Sequence, residues 1–428
     1  MTKVRIGLLG CGGVGSALCR LVTEKGDLFR VRDDLEFEIA RIGVADPRRT
    51  RPQGVPLDRI VQGWTAVVSA GDVDVVVEAM GDPEQSGAAA MEALGRGLPV
   101  ATASRRLVAT HGAALAKLAS SKRCGFGFEA ALGGAVPVAT TLMETLPANR
   151  FESVIGIASG TANFILSRMT EDGLSYAQAL DKARERGLGR AECGAAIEEG
   201  KDAAWTLSAL AALAFGVAVP AEEIHSEGIA SVTPEDIRLV ATFGYVVKPL
   251  AIARRTANGL ELRVHPALVP MRHPLAAVRD EFTALYVEGD VTGESMLYGR
   301  GAGPTATAGA LLGDVARLVR GRGTAFSERR WSYGTLEHIP IGEVVTGYHM
   351  FFPVVDKPGV IGRIASTLGT YGINIESAHA HLPDPEGARG LVQIISQKAR
   401  ERDVRAALRA VRELPVLTGD AWFYRIEG

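Results

Sequence analysis

The sequence predicts an α/β protein of several domains. A doubly wound parallel sheet opens the chain, an α+β region follows, and a small βαββαβ unit closes it. Three observations carry this. Residues 10–15 read G-C-G-G-V-G directly between a short apolar run and a stretch of helical periodicity. Apolar runs of strand length then alternate with helical patterns, an order that implies parallel strands joined by right-handed crossovers. After residue 346 the pattern becomes strand, helix, strand, strand, helix, strand, the order of a split βαβ sandwich. A chain of 428 residues is long enough for two or three cores.

The elements follow in order. Residues 3–9 are apolar and bounded by glycine, as a strand buried on both faces should be. Val14, Leu18, Leu21 and Val22 recur at helical spacing. Further strands are expected at 36–45, 73–78 and 98–103, with helical patterns at 88–94 and 112–119. Around 124–138 the chain turns glycine-rich and irregular, which marks a boundary. The middle region mixes helices at 175–186, 201–215 and 234–243 with strands at 154–158, 245–253 and 284–290. Residues 304–319 are a helix expected to return onto the first domain. Residues 321–342 are rich in Gly, Arg and Ser and read as a linker. The closing unit is expected as strand 350–355, helix 361–371, strands 373–380 and 391–396, helix 401–412 and strand 421–426. The division this implies is 1–131, joined by the return helix 303–320, then 132–302, a linker at 321–345, and 346–428.

Composition narrows the function. A net charge of −2 gives no basic field for nucleic acid or an anionic membrane. Cys11, Cys19, Cys124 and Cys193 form no C-x-x-C pair and read as free thiols of a reducing, cytoplasmic setting. The apolar stretch after Lys3 and Arg5 breaks at Gly10, too early for a signal peptide. The run 207–219 is short and alanine-rich, a buried helix rather than a membrane span.

Gly10, Gly12, Gly13, Val14 and Gly15 fit G-x-G-x-x-G between strand and helix. Glycines there allow a tight turn and close approach of a pyrophosphate to a helix N-terminus, which points to a Rossmann dinucleotide-binding domain. Asp46, after the second strand, is placed to accept from an adenosine ribose hydroxyl, the mark of NAD. Arg48, Arg49 and Arg51 would instead hold the 2′-phosphate of NADP. Both coenzymes stay open.

Other strings carry a family resemblance. Residues 159–166 read S-G-T-A-N-F-I-L, 129–137 read E-A-A-L-G-G-A-V-P, and 187–207 contain Gly189, Ala191, Glu192, Gly200 and Asp202-Ala203-Ala204. Residues 265–270 and 288–290 (H-P-A-L-V-P and E-G-D) extend the likeness. Together they resemble the homoserine dehydrogenase family over nearly the whole chain. Residues 356–365, D-K-P-G-V-I-G-R-I-A, with 372–375 after them, resemble an ACT regulatory domain. The first resemblance implies hydride transfer between a nicotinamide and L-aspartate 4-semialdehyde, giving L-homoserine, by a catalytic and dimerisation domain. The second implies an amino-acid effector, threonine among them, bound near Gly359, Val360 and Asn374 at a subunit interface. A homodimer or homotetramer is expected.

By the same resemblance Thr161 and Asn163 meet the substrate, and Glu192 pairs with its amino group. Thr102 and Gly301 border the cofactor, the latter in a 299–306 loop two residues shorter than the family's. Backbone oxygens at Glu129, Leu132, Gly134 and Val136 hold a monovalent cation, or the segment is simply a hinge. The departures lie at the reaction centre. The family carries T-A-N-K where this chain has Thr102-Ala103-Ser104-Arg105, and a lysine four residues after its aspartate where this chain has Thr206. Gly194 stands where a second aspartate is usual. Asp202 and Thr206 share one helix face. A threonine hydroxyl hydrogen-bonds but brings no charge, and an arginine keeps its proton. Two alternatives follow: a relative acting on another amino-acid-like carbonyl or imine, and a non-catalytic protein that binds nucleotide or amino acid. His379 and His381, two apart on a strand, are read as facing solvent.

Overall fold

The computed structural model describes residues 1–188, 200–301, 303–321, 335–381 and 389–428. The first sheet gathers β1 (Thr2–Leu9), β2 (Leu35–Val44), β3 (Ile60–Gln62), β4 (Val75–Glu78), β5 (Val100–Thr102) and β6 (Phe126–Gly127). Its order is β3-β2-β1-β4-β5-β6 and every pair is parallel. Ile6, Leu8, Val75, Val76 and Val77 are fully buried, as strands covered on both faces must be. Helix α1 (Gly13–Asp33) follows the glycine-rich turn. After the one-turn α2 (Thr65–Val68) comes α3 (Pro83–Gly95), begun by Asp82, whose side chain accepts from the Glu84 and Gln85 amides. Helix α4 (Arg105–Lys122) starts seven residues before the periodicity at 112 predicts. Ser104 caps it, accepting from the Leu107 amide at 3.2 Å.

The short α5 (Glu129–Leu132) and α6 (Val138–Thr140) carry the chain out of this sheet. A second, larger sheet then forms. The central part contributes β7 (Phe151–Gly156), helices α7 (Gly160–Asp172), α8 (Tyr176–Glu185) and α9 (Lys201–Phe215), β8 (His225–Ser226), α10 (Pro234–Ala241) and the hairpin β9 (Tyr245–Thr256) and β10 (Gly259–Pro270). Strands β11 (Phe282–Gly289) and β12 (Gly293–Arg300) follow, and α11 (Pro304–Val319) returns to pack along α1. Sequence reasoning passed over β10 and β12. In β10 the charged or polar Glu261, Arg263 and His265 alternate along the strand, and all three are buried.

The closing unit is β14 (Val345–Val355), α12 (Val360–Thr370), β15 (Ile375–His381), β16 (Arg389–Ser396), α13 (Glu401–Arg412) and β18 (Trp422–Ile426), with short β13 (His338–Ile339) before it and β17 (Ala399–Arg400) within it. The predicted βαββαβ order is present. The unit is not a bead on a linker, however. The large sheet runs β12-β11-β7-β9-β10-β18-β14-β16-β15, joined where β18 pairs in parallel with β10. Strand β13, inside the stretch read as linker, also pairs with β10. One face of the closing sheet takes α12 and α13, with Tyr348, Met350 and Phe352 against Ile364, Leu368, Val404 and Leu408. The other face sets Phe351 and Tyr424 against Phe164, Ile237 and Val240.

Candidate active site

The glycine-rich turn closes as its sequence requires. Gly10 has φ 88°, and a Cβ there would lie 2.7 Å from the Ala79 carbonyl oxygen. A Cβ on Gly15 would lie 2.2 Å from the Gly10 oxygen, so helix and turn touch backbone to backbone. Gly12 is the N-cap of α1 and no side chain caps that helix. Its first N–H groups are therefore presented to a cleft of ≈560 Å³ lined by Gly10–Gly13, Asp46, Arg49, Arg51 and the 79–82 segment. Val14 is partly buried behind it. This cradle fits a pyrophosphate.

The coenzyme-selecting residues take distinct places. Asp46 is exposed and its Oδ1 accepts from the Arg48 amide at 2.9 Å. Arg51 donates to the carbonyls of Cys11, at 2.9 Å, and Asp46, at 2.8 Å, and so ties the glycine turn to the loop after β2. Arg49 lines the cleft while the Arg48 side chain does not. Thr102 is fully buried. Its hydroxyl donates to Glu78 Oε2 at 2.5 Å and its oxygen accepts from the Ser104 amide at 3.0 Å. Glu78 also accepts from the Met80 amide and the Ser86 hydroxyl, at 2.7 and 2.8 Å. Burial pushes its carboxyl up, against those three donors. Sequence reasoning missed Glu78. The available signal was an acid closing the all-apolar run V-V-V-E.

Beyond the carboxyl end of β5, on the same sheet, α4 and α9 meet at their N-termini. Arg105, the first residue of α4, forms an ion pair with Asp202 in the first turn of α9. The two side chains are 23% and 27% exposed, within reach of a ligand. Beside them the Arg106 guanidinium lies 5.5 Å from the centre of the Trp205 ring. Thr206 is buried, and its hydroxyl donates to the Asp202 carbonyl at 3.4 Å. It faces a small cavity shared with Arg105, Val136, Thr283 and Gly301. A Cβ on Gly301 would lie 2.0 Å from Thr283 Oγ1, and one on Gly134 would lie 2.5 Å from the Gly301 oxygen. The shortened loop is thus threaded tightly against the 132–136 turn.

Other sequence-derived residues fall less simply. Thr161 lies partly exposed in the first turn of α7, which Ser159 caps. Asn163 is fully buried, and its amide donates to the carbonyls of Val278, Asp280 and Phe282 at 3.4, 3.0 and 3.1 Å. That amide is committed to the 278–282 segment, away from the cleft. Glu192 and Gly194 lie outside the described residues. The Glu129 carboxylate caps α6, accepting from the Ala139 and Thr140 amides at 2.8 and 2.9 Å. Arg317 on α11 sits 3.6 Å from it and also pairs with buried Asp314, whose carboxyl burial pushes up to about 7. The carbonyls of Glu129 and Val136 accept from the Gly133 and Val138 amides. Leu132 and Gly134 complete this compact turn. Among the described residues no cluster of His, Cys, Asp and Glu forms a metal site.

Gly359, at φ 86°, starts α12, whose first residue Val360 is buried, and Asn374 is exposed beyond its far end. An eleven-residue helix spans about 16 Å, so within one chain Gly359 and Asn374 do not meet. His379 and His381 are exposed on β15. The His379 ring packs edge-on to Phe243, with centroids 4.8 Å apart.

A doubly wound parallel sheet whose glycine turn meets an uncapped helix N-terminus over an open cleft defines a dinucleotide-binding protein of α/β class. The comparisons sharpen this. Residues 10–129 match the family described as "Homoserine dehydrogenase, NAD binding domain", 137–316 match "Homoserine dehydrogenase", and 351–416 match "ACT domain". The homoserine dehydrogenase of Corynebacterium glutamicum is 36% identical over 434 residues, covering 100% of this chain and 96% of that protein. That of Mycobacterium tuberculosis is also 36% identical, covering 99% of this chain and 98% of its own. The crystal structure of a homoserine dehydrogenase from Thiobacillus denitrificans superposes with a TM-score of 0.91 at 31% identity, covering 100% of this chain and 98% of that one. The chain belongs to the homoserine dehydrogenase family, with that family's NAD-binding and catalytic domains and a C-terminal ACT domain.

Proposed function

We propose that this chain is an NAD(P)-linked dehydrogenase interconverting L-homoserine and L-aspartate 4-semialdehyde, slowed by its altered reaction centre. The observation that carries the reading is the partly exposed Arg105–Asp202 pair, set at two helix N-termini. Bound NAD or NADP supplies the hydride acceptor or donor. Gly10, Gly12, Gly13, Val14 and Gly15 hold its pyrophosphate, and Asp46 or the neighbouring arginines meet its adenosine ribose. Thr102, fixed by Glu78, and Gly301 border its nicotinamide half. Thr161 and Glu192 take the amino-acid part of the substrate. Asn163 supports them by anchoring residues 278–282. Asp202 exchanges the hydroxyl proton, and Arg105 supplies positive charge beside it. Thr206 orients a hydroxyl or a water without charge.

Residues 1–131 with the return helix hold the cofactor, 132–302 the substrate, and 346–428 a small amino-acid effector. The 129–136 turn works as the hinge between the first two; a monovalent cation on its carbonyls is the alternative, tested by sodium and potassium dependence. Exposed strands β12 and β15 at the two ends of the large sheet favour a homodimer or homotetramer. Among the described residues no helix is long and apolar enough to cross a membrane, and the setting we infer is the cytoplasm.

Arg105 and Thr206 favour a second reading, in which the same fold acts on another amino-acid-like carbonyl or imine. The test follows nicotinamide absorbance with homoserine and with aspartate semialdehyde, using NAD(H) and NADP(H). General-acid assistance is worth about 10²–10⁴-fold, so wild-type turnover should be slow. Thr206→Lys combined with Arg105→Lys should raise it. A wild-type rate on the order of 10 s⁻¹ or more, with no gain from the lysines, would assign proton transfer to another group. No turnover even in the double variant would favour the second reading or a binding role. Thermal shift of the full chain with threonine, lysine and methionine tests the effector site, and no shift with any of them counts against it.

A further inference from the structure

Two of the chain's four cysteines sit together where the dinucleotide binds. Cys11 stands between Gly10 and Gly12 and lines the cleft. Its Sγ lies 3.5 Å from Ser16 Oγ, one turn into α1. Cys19 follows Ser16 by three residues, on the same helix face. Both thiols belong to one buried cluster behind the turn, and each shifts the protonation of the other, in opposite directions. Cys124 is buried elsewhere, against the Leu94 carbonyl at 3.9 Å.

The surroundings make the two sulfurs unequal. The neighbouring Cys19 thiol holds Cys11 well below the usual thiol range, helped by the Ser16 hydroxyl and the Arg51 charge and opposed by burial. The Cys19 thiol is pushed up by its Cys11 neighbour and by burial. One sulfur thus has thiolate character while its neighbour keeps a proton, the arrangement of an attacking thiol beside a resolving one.

We propose that Cys11 and Cys19 are an oxidation site that governs dinucleotide binding: a peroxide converts them to an intramolecular disulfide, and the disulfide deforms the pyrophosphate turn. The Cys11 thiolate attacks one oxygen of hydrogen peroxide, the O–O bond breaks, and sulfenic acid and hydroxide form. The Cys19 thiol attacks the sulfenic sulfur, an S–S bond forms, the S–O bond breaks, and the hydroxyl leaves as water. The Cys19 proton goes to that departing hydroxyl, and the hydroxide of the first step passes to solvent. The two sulfurs lose two electrons and the peroxide gains them. The turn cannot absorb the pull, since Gly10 and Gly15 already touch the backbone of Ala79 and Gly10. Drawing Cys11 toward α1 therefore moves the amides that face the pyrophosphate. Bound dinucleotide covers the cleft and should protect the pair.

The inference rests on the dinucleotide site, and its test reads the two separately. The reduced full chain is first titrated with NADH and NADPH by fluorescence. It is then treated with hydrogen peroxide, with and without nucleotide, and mapped by peptide mass spectrometry. The expected result is loss of two hydrogens, a Cys11–Cys19 linkage, a nucleotide affinity lower by about tenfold or more, full recovery with dithiothreitol, and slower oxidation when nucleotide is bound. Cys19→Ser should instead halt at a sulfenic acid on Cys11, trapped by dimedone. Both thiols still alkylating after peroxide would overturn the proposal, as would a linkage to Cys124 or Cys193. So would a Cys11–Cys19 disulfide that leaves nucleotide affinity unchanged. A reduced chain that binds neither nucleotide would overturn the cofactor reading itself, a result the thiol mapping does not touch.

Discussion

Gly12 and Asp202 show how single residues divide the labour of the site. Gly12 has φ −84° and ψ −151°, a backbone that any residue adopts. Gly12→Val should therefore leave the fold intact and place two methyl groups where the pyrophosphate approaches. Calorimetry should find no NAD(H) or NADP(H) binding and an unchanged melting temperature; retained binding would remove the turn from the cofactor site. Asp202 stands opposite a cation at the N-terminus of α4, where the helix dipole disfavours positive charge. Asp202→Asn should lower turnover by about 10²–10⁴-fold if it carries the proton. Stability should change by less than about 1 kcal/mol, because the pair is partly solvated. Turnover and urea melts of the same variant separate the two effects.

At the scale of elements, the charges and rings on the large sheet decide how it is buried. Helix α9 is apolar nearly all round and lies inside the molecule. Its N-cap Gly200 has φ 72°, and a Cβ there would lie 2.9 Å from the Glu227 carbonyl. The helix start is thus fixed by the 227–229 segment. Strand β14 buries His349 completely, against Phe243 and Phe351 at ring separations of 4.9 and 4.4 Å. Burial lowers its pKa from 6.5 to about 4. The unfolded chain therefore binds this proton first. The neutral ring's contribution to stability is full above pH 6.5 and is lost as pH falls through about 4. His265, lowered by burial and then by Arg425 and Arg263, acts in the same direction. His349→Phe should shrink the drop in melting temperature between pH 7 and pH 5 without abolishing it. An unchanged drop would show that His349 titrates freely.

Over the whole molecule, one buried ion network joins the closing unit to the centre. Arg425 of β18 donates to both oxygens of Glu401 at 2.7 Å and to Glu227 at 2.9 and 3.0 Å. Glu427 pairs with Arg263 and, at 3.0 Å, with Arg254. Arg425→Ala removes the main partner of fully buried Glu401, whose remaining ion-pair partner is Arg405 at the rim; breaking one side of a buried pair typically costs about 3–5 kcal/mol. Urea denaturation should show that loss, and a change under about 1 kcal/mol would mean that the acids find other partners. Truncation before Gly347 removes Glu427 from fully buried Arg263 and bares the β10 edge. The shortened chain should lose its cooperative melt, so effector binding is best read on the full chain.

The sequence by itself determined the elements whose information is local. The run 3–9, the G-C-G-G-V-G turn and the alternation after it specify a parallel sheet and its cofactor edge, because glycine geometry and apolar periodicity act within a few residues. The βαββαβ order and the family strings were legible for the same reason. Tertiary structure decided what depends on distant partners. Arg263 of β10 finds its counter-charge only when Glu427 arrives, 164 residues later in the chain, and the two neutralise each other in a common interior. Asn163, legible as a ligand for substrate, also holds residues 278–282 through its amide nitrogen. Arg105 and Asp202, 97 positions apart, become one pair. Cys11 and Cys19 looked like scattered thiols until the turn and α1 folded them together. A sequence states which side chains are available, and the low dielectric of a packed interior selects which of them must meet.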